Sequence, residues 1–286
     1  MIAVVFGLTS AILFGCVPVV LRFAFRRCPD AQIGALATVV TAFVVSGIGA
    51  VADWSWSSAV WPFFFAGVLS PGVSHLLFLG AISISGSART SVVIGTAPLV
   101  AITIAVTLLG EPIRAPLLIG GVLVVAGSIA LARERGRPPG FRRIGLVLAF
   151  GAATMFASRD SLVRWLAGGT SVRPELACAA SVLGGLLVVG GYLVARRGAS
   201  AVTTSLRQNF VVFIPAGVMF GLSFIALFEA YYRGRVTVVS PLIATESLWS
   251  VIASALILRR SELVGRQLVF GAVVVVLGGV LIGVFR

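Results

Sequence analysis

Along the chain, apolar residues gather into long runs, and polar residues are confined to the short breaks between them. Ten runs can be marked, at 2–22, 31–51, 60–80, 88–109, 115–132, 144–166, 174–195, 210–231, 236–258 and 264–285. A helix that crosses a bilayer needs ~20 predominantly apolar residues, so the pattern predicts an all-α polytopic membrane protein with ten transmembrane helices. The one long break, residues 133–143, is rich in Arg, Pro and Gly and continues neither flanking helix. It separates a first five-helix half, 1–132, from a second, 144–286.

The two halves resemble each other in an ordered way. Leu109, Gly110 and Glu111, followed by Gly120 and Gly127, answer to Arg260, Ser261 and Glu262, followed by Gly271 and Gly278, at one common offset. Ala66-Gly67 likewise matches Ala216-Gly217, and Pro29-Asp30 matches Pro174-Glu175. Because five is odd, two such repeats must cross the membrane in opposite senses, which predicts inverted repeats with a substrate cavity between them near the midplane.

Composition sharpens this picture. A chain of 286 residues with 59% hydrophobic and 11% charged content is excluded as a soluble domain, whose charged share is typically about 25%. The net charge of +13 comes from Arg alone and sits between the apolar runs, as membrane topology signals do, rather than in a nucleic-acid-binding surface. Met1–Phe25 lacks a basic n-region and an Ala-x-Ala site, so it reads as the first span and not as a signal peptide. Cytoplasmic loops carry excess Arg. Arg22, Arg26, Arg27, Arg89, Arg133, Arg135, Arg137, Arg142, Arg143, Arg196, Arg197, Arg207, Arg259, Arg260 and Arg266 fall in odd-numbered loops, against Arg114, Arg164, Arg173, Arg233, Arg235 and Arg286 in even ones and at the termini. Odd loops are therefore expected in the cytoplasm and both termini outside. Cys16, Cys28 and Cys178 have no metal-binding or CxxC spacing, and nothing resembles a nucleotide loop or a nucleophile beside a base. No cofactor, metal or catalytic residue is expected.

The candidate chemistry lies in polar residues at membrane depth, where ionisable groups are rare and face a bundle interior or a wet cavity. Glu246 stands near the middle of the 236–258 run, after Pro241 and Thr245, where a Pro-interrupted helix frees backbone carbonyls. Trp249, three residues on, shares its helical face and either stacks a substrate or packs in the bundle. Arg159 and Asp160 lie two-thirds along the sixth span. Neighbours in sequence point ~100° apart on a helix, so each is expected to pair with another helix, with Glu246 a partner for Arg159. His75 is either a proton-coupling residue or a hydrogen-bonded interior residue. Ser70, Pro71 and Gly72 before it predict a kink. Tyr231 and Tyr232 read as an interfacial anchor, as do Trp54, Trp56 and Trp61, and Glu229, one turn deeper, as a second cavity acid or part of that anchor. Gly217 with Gly221 and Gly279 with Gly283 are spaced for close helix packing.

Two five-helix repeats, each with a Glu turn before a Gly-rich final span, resemble the EamA-type proteins of the drug/metabolite transporter superfamily. The most specific pieces are Thr96-Ala97-Pro98-Leu99 leading to Gly110-Glu111, and Pro241 to Trp249 leading to Ser261-Glu262. The chain departs from the family in lacking an Arg early in the second span, at Gly34–Thr38, and in an Arg-loaded linker that opposes the termini-inside orientation common among relatives. The resemblance implies a multi-pass carrier of the plasma or bacterial inner membrane, monomeric or homodimeric, exporting an amino-acid-like metabolite by alternating access. It also places Glu246 where many relatives carry an acid. Two other readings stay open: a flippase for an anionic lipid-linked headgroup, and an integral-membrane enzyme.

Overall fold

The computed structural model of the protein describes residues 1–51, 58–85, 93–94, 96–112, 114–132, 144–258 and 266–285. The linker 133–143, Trp54, Trp56, Arg89, Gly95, Arg259, Arg260 and Glu262 lie outside the described residues.

Every regular element among the described residues is helical: α1 (Ile2–Phe25), α2 (Ala31–Val51), α3 (Trp61–Gly67), α4 (Ser74–Ser85), α5 (Ala97–Leu108), α6 (Ala115–Ala132), α7 (Ile144–Ala167), α8 (Pro174–Arg197), α9 (Ala199–Arg233), α10 (Val236–Ile243), α11 (Glu246–Leu258) and α12 (Arg266–Phe285). Without water, backbone groups must be satisfied inside each segment, and apolar runs therefore become helices. Among the described residues, six helical stretches are long and apolar enough to cross a membrane, and Ala97–Leu108 and Ala115–Gly127 are shorter apolar helices. Phe270, Val273, Val276, Leu277 and Val280 of α12, with Ile119 and Val122 of α6, turn outward, as a lipid-facing surface requires. Buried hydroxyls close onto their own helix: Thr38 donates to the Gly34 carbonyl at 2.7 Å and Thr41 to that of Ala37 at 2.9 Å.

Two spans are broken where Pro denies the ladder an N–H. Between α3 and α4, a π-type turn over Val68–Val73 holds Ser70 in an extended conformation (φ −153°, ψ 123°) before Pro71, the kink expected there. The 236–258 run is broken at Ala244-Thr245, after Pro241, into α10 and α11. The eighth span departs from expectation. Its helix begins at Ala199, one Gly after α8, because polar residues 203–209 can stay helical where water satisfies their side chains. Gly198, at φ +80°, makes that corner. At the same face Asp30 caps α2, accepting from the Gln32 and Ile33 amides at 3.1 and 3.2 Å, and pairs with Arg197 of α8. Burial pushes the Asp30 carboxyl up, but Arg197 and these amides outweigh it and hold it below its ordinary value.

Helix contacts follow a paired scheme. Gly127 of α6 sits against Gly271 and Val275 of α12, while Gly278 of α12 sits against Gly120 and Val124 of α6. A Cβ at either glycine would meet these neighbours at 2.6–2.9 Å, and the rising order on one helix against the falling order on the other makes the pair antiparallel. The two sets interchange under the offset that pairs Glu111 with Glu262. Likewise α1 packs on α9, α10 and α11, and α7 on α4 and α5, while α2 packs on α9 and α8 on α3. Gly217 and Gly221 pack closely against Thr41, Ala42 and Val45 of α2, as expected. Gly279 does not: no atom lies within 4 Å of a Cβ there, and its neighbour Gly278 carries the helix contact instead.

The tightest crossing sets a test. A methyl on Gly67 would fall on the Ser181 backbone of α8, whereas one on Gly47 meets nothing within 4 Å. Gly67→Ala should lower stability by about 1–3 kcal/mol, the usual cost of overpacking, read as a depressed melting temperature in detergent. Gly47→Ala should stay within about 0.5 kcal/mol of the parent.

Candidate functional site

The polar residues of the second half gather where α7, α9 and α10 pack together and at the break that leads from α10 into α11. Arg159 and Asp160 are both buried, at 4% and 8% exposure, and so face protein rather than lipid. Their expected partners on other helices are only half right. Arg159 Nε lies 3.0 Å from Oδ1 of its own neighbour, Asp160, so the pair neutralises itself. Adjacent residues diverge at Cβ, but the long Arg chain folds back along the helix surface to the short carboxylate. The contact is not an aligned hydrogen bond: Arg159 Nε and Nη1 and Asp160 Oδ1 find no hydrogen-bond partner. The guanidinium instead covers the ring of Phe224, 5.0 Å from its centroid. Asp160 does reach another helix, accepting from the Tyr231 hydroxyl at 2.7 Å.

Tyr231 therefore corrects the sequence reading. It is fully buried inside the bundle and is no interfacial anchor. An aromatic at the end of an apolar run reads as a belt residue, yet a membrane acid needs a donor, and Tyr supplies one on an apolar body. Tyr232 is half-buried, stacked on Phe63 at 6.1 Å, with a buried hydroxyl that has no hydrogen-bond partner. Trp61, by contrast, is 51% exposed at the start of α3, in keeping with its belt role. Glu229 pairs with Arg233 one turn on.

His75 of α4 is half-buried against Phe78 and Phe220, at ring distances of 6.4 and 6.2 Å. Phe220 and Phe224 of α9 and Phe14 of α1 form a cluster with centroids 4.8–5.5 Å apart. Through it, His75 on one side and Arg159 on the other share an aromatic floor that no motif in the sequence announces.

Glu246 is the first residue of α11, directly after the break. Thr245 fills that break, its hydroxyl donating to the Leu242 carbonyl at 2.6 Å and its own carbonyl accepting from the Leu248 amide at 2.9 Å. The Glu246 carboxylate is half-buried, lies within coulombic reach of Asp160, and has no ion pair or hydrogen bond among the described residues. Trp249 sits beside it with a buried indole N–H that also lacks a partner. Gly15 of α1 lets the helices close over this pair: a Cβ there would meet Trp249 Cβ at 2.7 Å and the Ser250 amide at 2.8 Å. Thus Glu246, Thr245 and Trp249 gather at one break with Asp160 in reach, whereas Glu229 lies in its own pair.

Near the loop end of the second half, an open cleft of about 260 Å³ is lined by Glu111, Arg164, Trp165 and Arg235 among others. Glu111 accepts from the amides of Val236 and Thr237, and Arg164 donates to the carbonyls of Tyr231 and Tyr232. Neither residue was singled out for such a role from the sequence.

Residues 1–133 match the EamA-like transporter family. A solved crystal structure with 16% sequence identity superposes with a TM-score of 0.79, covering 99% of each chain, and at that identity the likeness concerns the fold. No curated protein matches the chain.

Removing the Tyr231 hydroxyl tests the buried cluster. Tyr231→Phe leaves Asp160 without its donor and should cost about 1–3 kcal/mol of stability, measured as a lower melting temperature in detergent. An unchanged melting temperature would mean that the hydrogen bond carries no net stability.

Proposed function

From the match of residues 1–133 to the EamA-like transporter family, we propose a multi-pass membrane transporter of the drug/metabolite type, a secondary carrier that exports a small polar or amphipathic, amino-acid-like metabolite. It works by alternating access, two inverted five-helix repeats, 1–132 and 144–286, rocking about a central site. The interchange of the Gly127 and Gly278 contacts, and their antiparallel sense, supports the inverted repeat. A gradient supplies the energy, with protons as the candidate coupling ion.

One observation carries the site assignment: Glu246 presents a carboxylate with no ion pair or hydrogen bond among the described residues, at a helix break at membrane depth, beside the unpartnered indole N–H of Trp249. A structural acid would be expected to hold a partner, because an unpaired polar group in a low-dielectric interior is costly. Its neighbour Asp160 is already committed to Arg159 and Tyr231, which leaves Glu246 as the acid free to take a substrate group or a proton. The same pairing weakens the lipid-headgroup reading, since Arg159 spends its charge on Asp160 and offers little to an anion.

Orientation rests on the Arg bias, which places the odd-numbered loops in the cytoplasm. A Cys introduced at Gly136, in the linker, should resist an impermeant thiol reagent in intact cells. Its modification from outside would reverse the assignment.

Glu246→Gln keeps the shape of the side chain and removes its charge. Reconstituted protein carrying this change should elute as a normal monodisperse species yet lose transport, or transport without the parent's pH dependence. Full activity with the parent's pH profile would return Glu246 to a packing role.

A further inference from the structure

The corner between α9 and α10 is held by a carboxylate and a guanidinium that belong to neither helix. Glu111, in the turn between α5 and α6, accepts from the Val236 amide at 2.8 Å and the Thr237 amide at 3.0 Å. These are the first two amides of α10, which no residue within that helix can satisfy. The carboxylate also suits the positive end of the helix dipole. Across the corner Arg164 of α7 donates to the Tyr231 and Tyr232 carbonyls, both at 3.3 Å, at the negative end of α9. Gly110, at φ +66°, gives the turn that aims Glu111 at its target.

The two clamps differ in what they join. Arg164 and α9 both belong to the second half, but Glu111 belongs to the first, so its two hydrogen bonds cross between halves. Glu111 also lines the 260 Å³ cleft, with Arg164, Trp165 and Arg235. From the corner, α10 leads over Val236–Ile243 to the break at Ala244-Thr245 and to Glu246. We propose that Glu111 is a positioning residue for transport: its carboxylate is a latch that closes the path on this face by holding the α10 N-terminus of the opposite half, and that face opens only when the latch releases. The part the latch plays in alternation rests on the transporter reading above, whereas the closure across the halves does not.

Accessibility on the two faces tests the latch and separates these claims. Thr237 is buried beneath the latch, at 3% exposure. Cys28 is buried at the opposite face, since it follows the far end of α1, whose near end at Ala3 packs on Gly234 of the corner. Thr237→Cys, in a chain whose three native cysteines are replaced by Ala, reports the latch face. A chain keeping only Cys28 reports the other. In nanodiscs, Glu111→Gln retains one acceptor and loses the charge. It should raise maleimide labelling at position 237 roughly tenfold, the weight of a charged hydrogen bond, and lower labelling at Cys28.

A rise at 237 with Cys28 unchanged would uphold the latch and overturn alternation. No rise at 237, or an equal rise on both faces with a fall in melting temperature, would overturn the latch and leave Glu111 a fold-stabilising cap. Should Glu111→Gln fail to fold, Glu111→Asp, which keeps the charge but is one methylene too short to reach both amides, is read against the same outcomes.

Discussion

The constraint on which this structure depends is that a bilayer supplies no hydrogen bonds. Each backbone group released from a helix, and each charge drawn below the surface, must be met by protein. Where the helices run unbroken the ladder does this alone, and residues such as Thr38 and Thr41 turn their hydroxyls back onto it. The difficulty is concentrated at the α3–α4 kink, the α9–α10 corner and the α10–α11 break. At the corner, Glu111 and Arg164 come from distant segments to meet amides on one side and carbonyls on the other. At the α10–α11 break, Thr245 closes the backbone with its own hydroxyl, and the Glu246 carboxylate has no bond of its own among the described residues. The acid at the corner is engaged by two backbone amides, whereas the acid at the break is engaged by no group among the described residues.

Packing in such a bundle has little hydrophobic drive, because lipid tails are as apolar as Leu, so helices gain by close approach. Glycines make that approach possible at points where the two halves correspond: Gly127 and Gly278 in the α6–α12 pair, Gly217 and Gly221 on α2, and Gly67 with Gly184 in the α3–α8 crossing. Were the two halves to rock against each other, contacts that interchange between them would give both arrangements similar packing. On the transporter reading, that near-equality lets a small differential affinity shift the equilibrium between inward and outward states.

The apolar runs made the helices legible, because a bilayer imposes a minimum length that composition alone reveals. The kink at Ser70-Pro71 and the break after Pro241 were legible for the same kind of reason, since Pro removes a donor wherever it stands. What stayed hidden were partnerships set by three-dimensional approach. Periodicity separates Arg159 from Asp160 by a third of a turn, yet it is silent on how far a flexible Arg chain can fold back. Tyr231 sits at the end of its run and so looked interfacial, because hydropathy cannot tell a residue at the membrane edge from one turned inward at the same height. Glu111 was visible as a repeat marker, but its target lies 125 residues away, and no local pattern encodes a cap delivered from another helix. Gly278 rather than Gly279 carries the α12 contact for a similar reason, as spacing gives the small-residue stripe but not the direction it faces.

The electrostatics of the centre then follow from which charges are spent. Arg159 and Asp160 form a pair that is close to neutral, with Tyr231 donating to the carboxylate and the Phe224 face against the guanidinium, while Arg159 Nε and Nη1 and Asp160 Oδ1 stay without a hydrogen bond. A fixed neutral pair makes a poor carrier of cargo, since removing either partner strands the other. Glu246 differs in kind. It stands at the start of a half-helix, directly after the break at Ala244-Thr245, with no ion pair or hydrogen bond among the described residues. On the transporter reading, a proton or a cationic group arriving at the break meets a carboxylate unpaired among the described residues and so changes the favoured state of the site. It does so where the chain is already interrupted, so the response can pass into α10 and the corner that Glu111 holds.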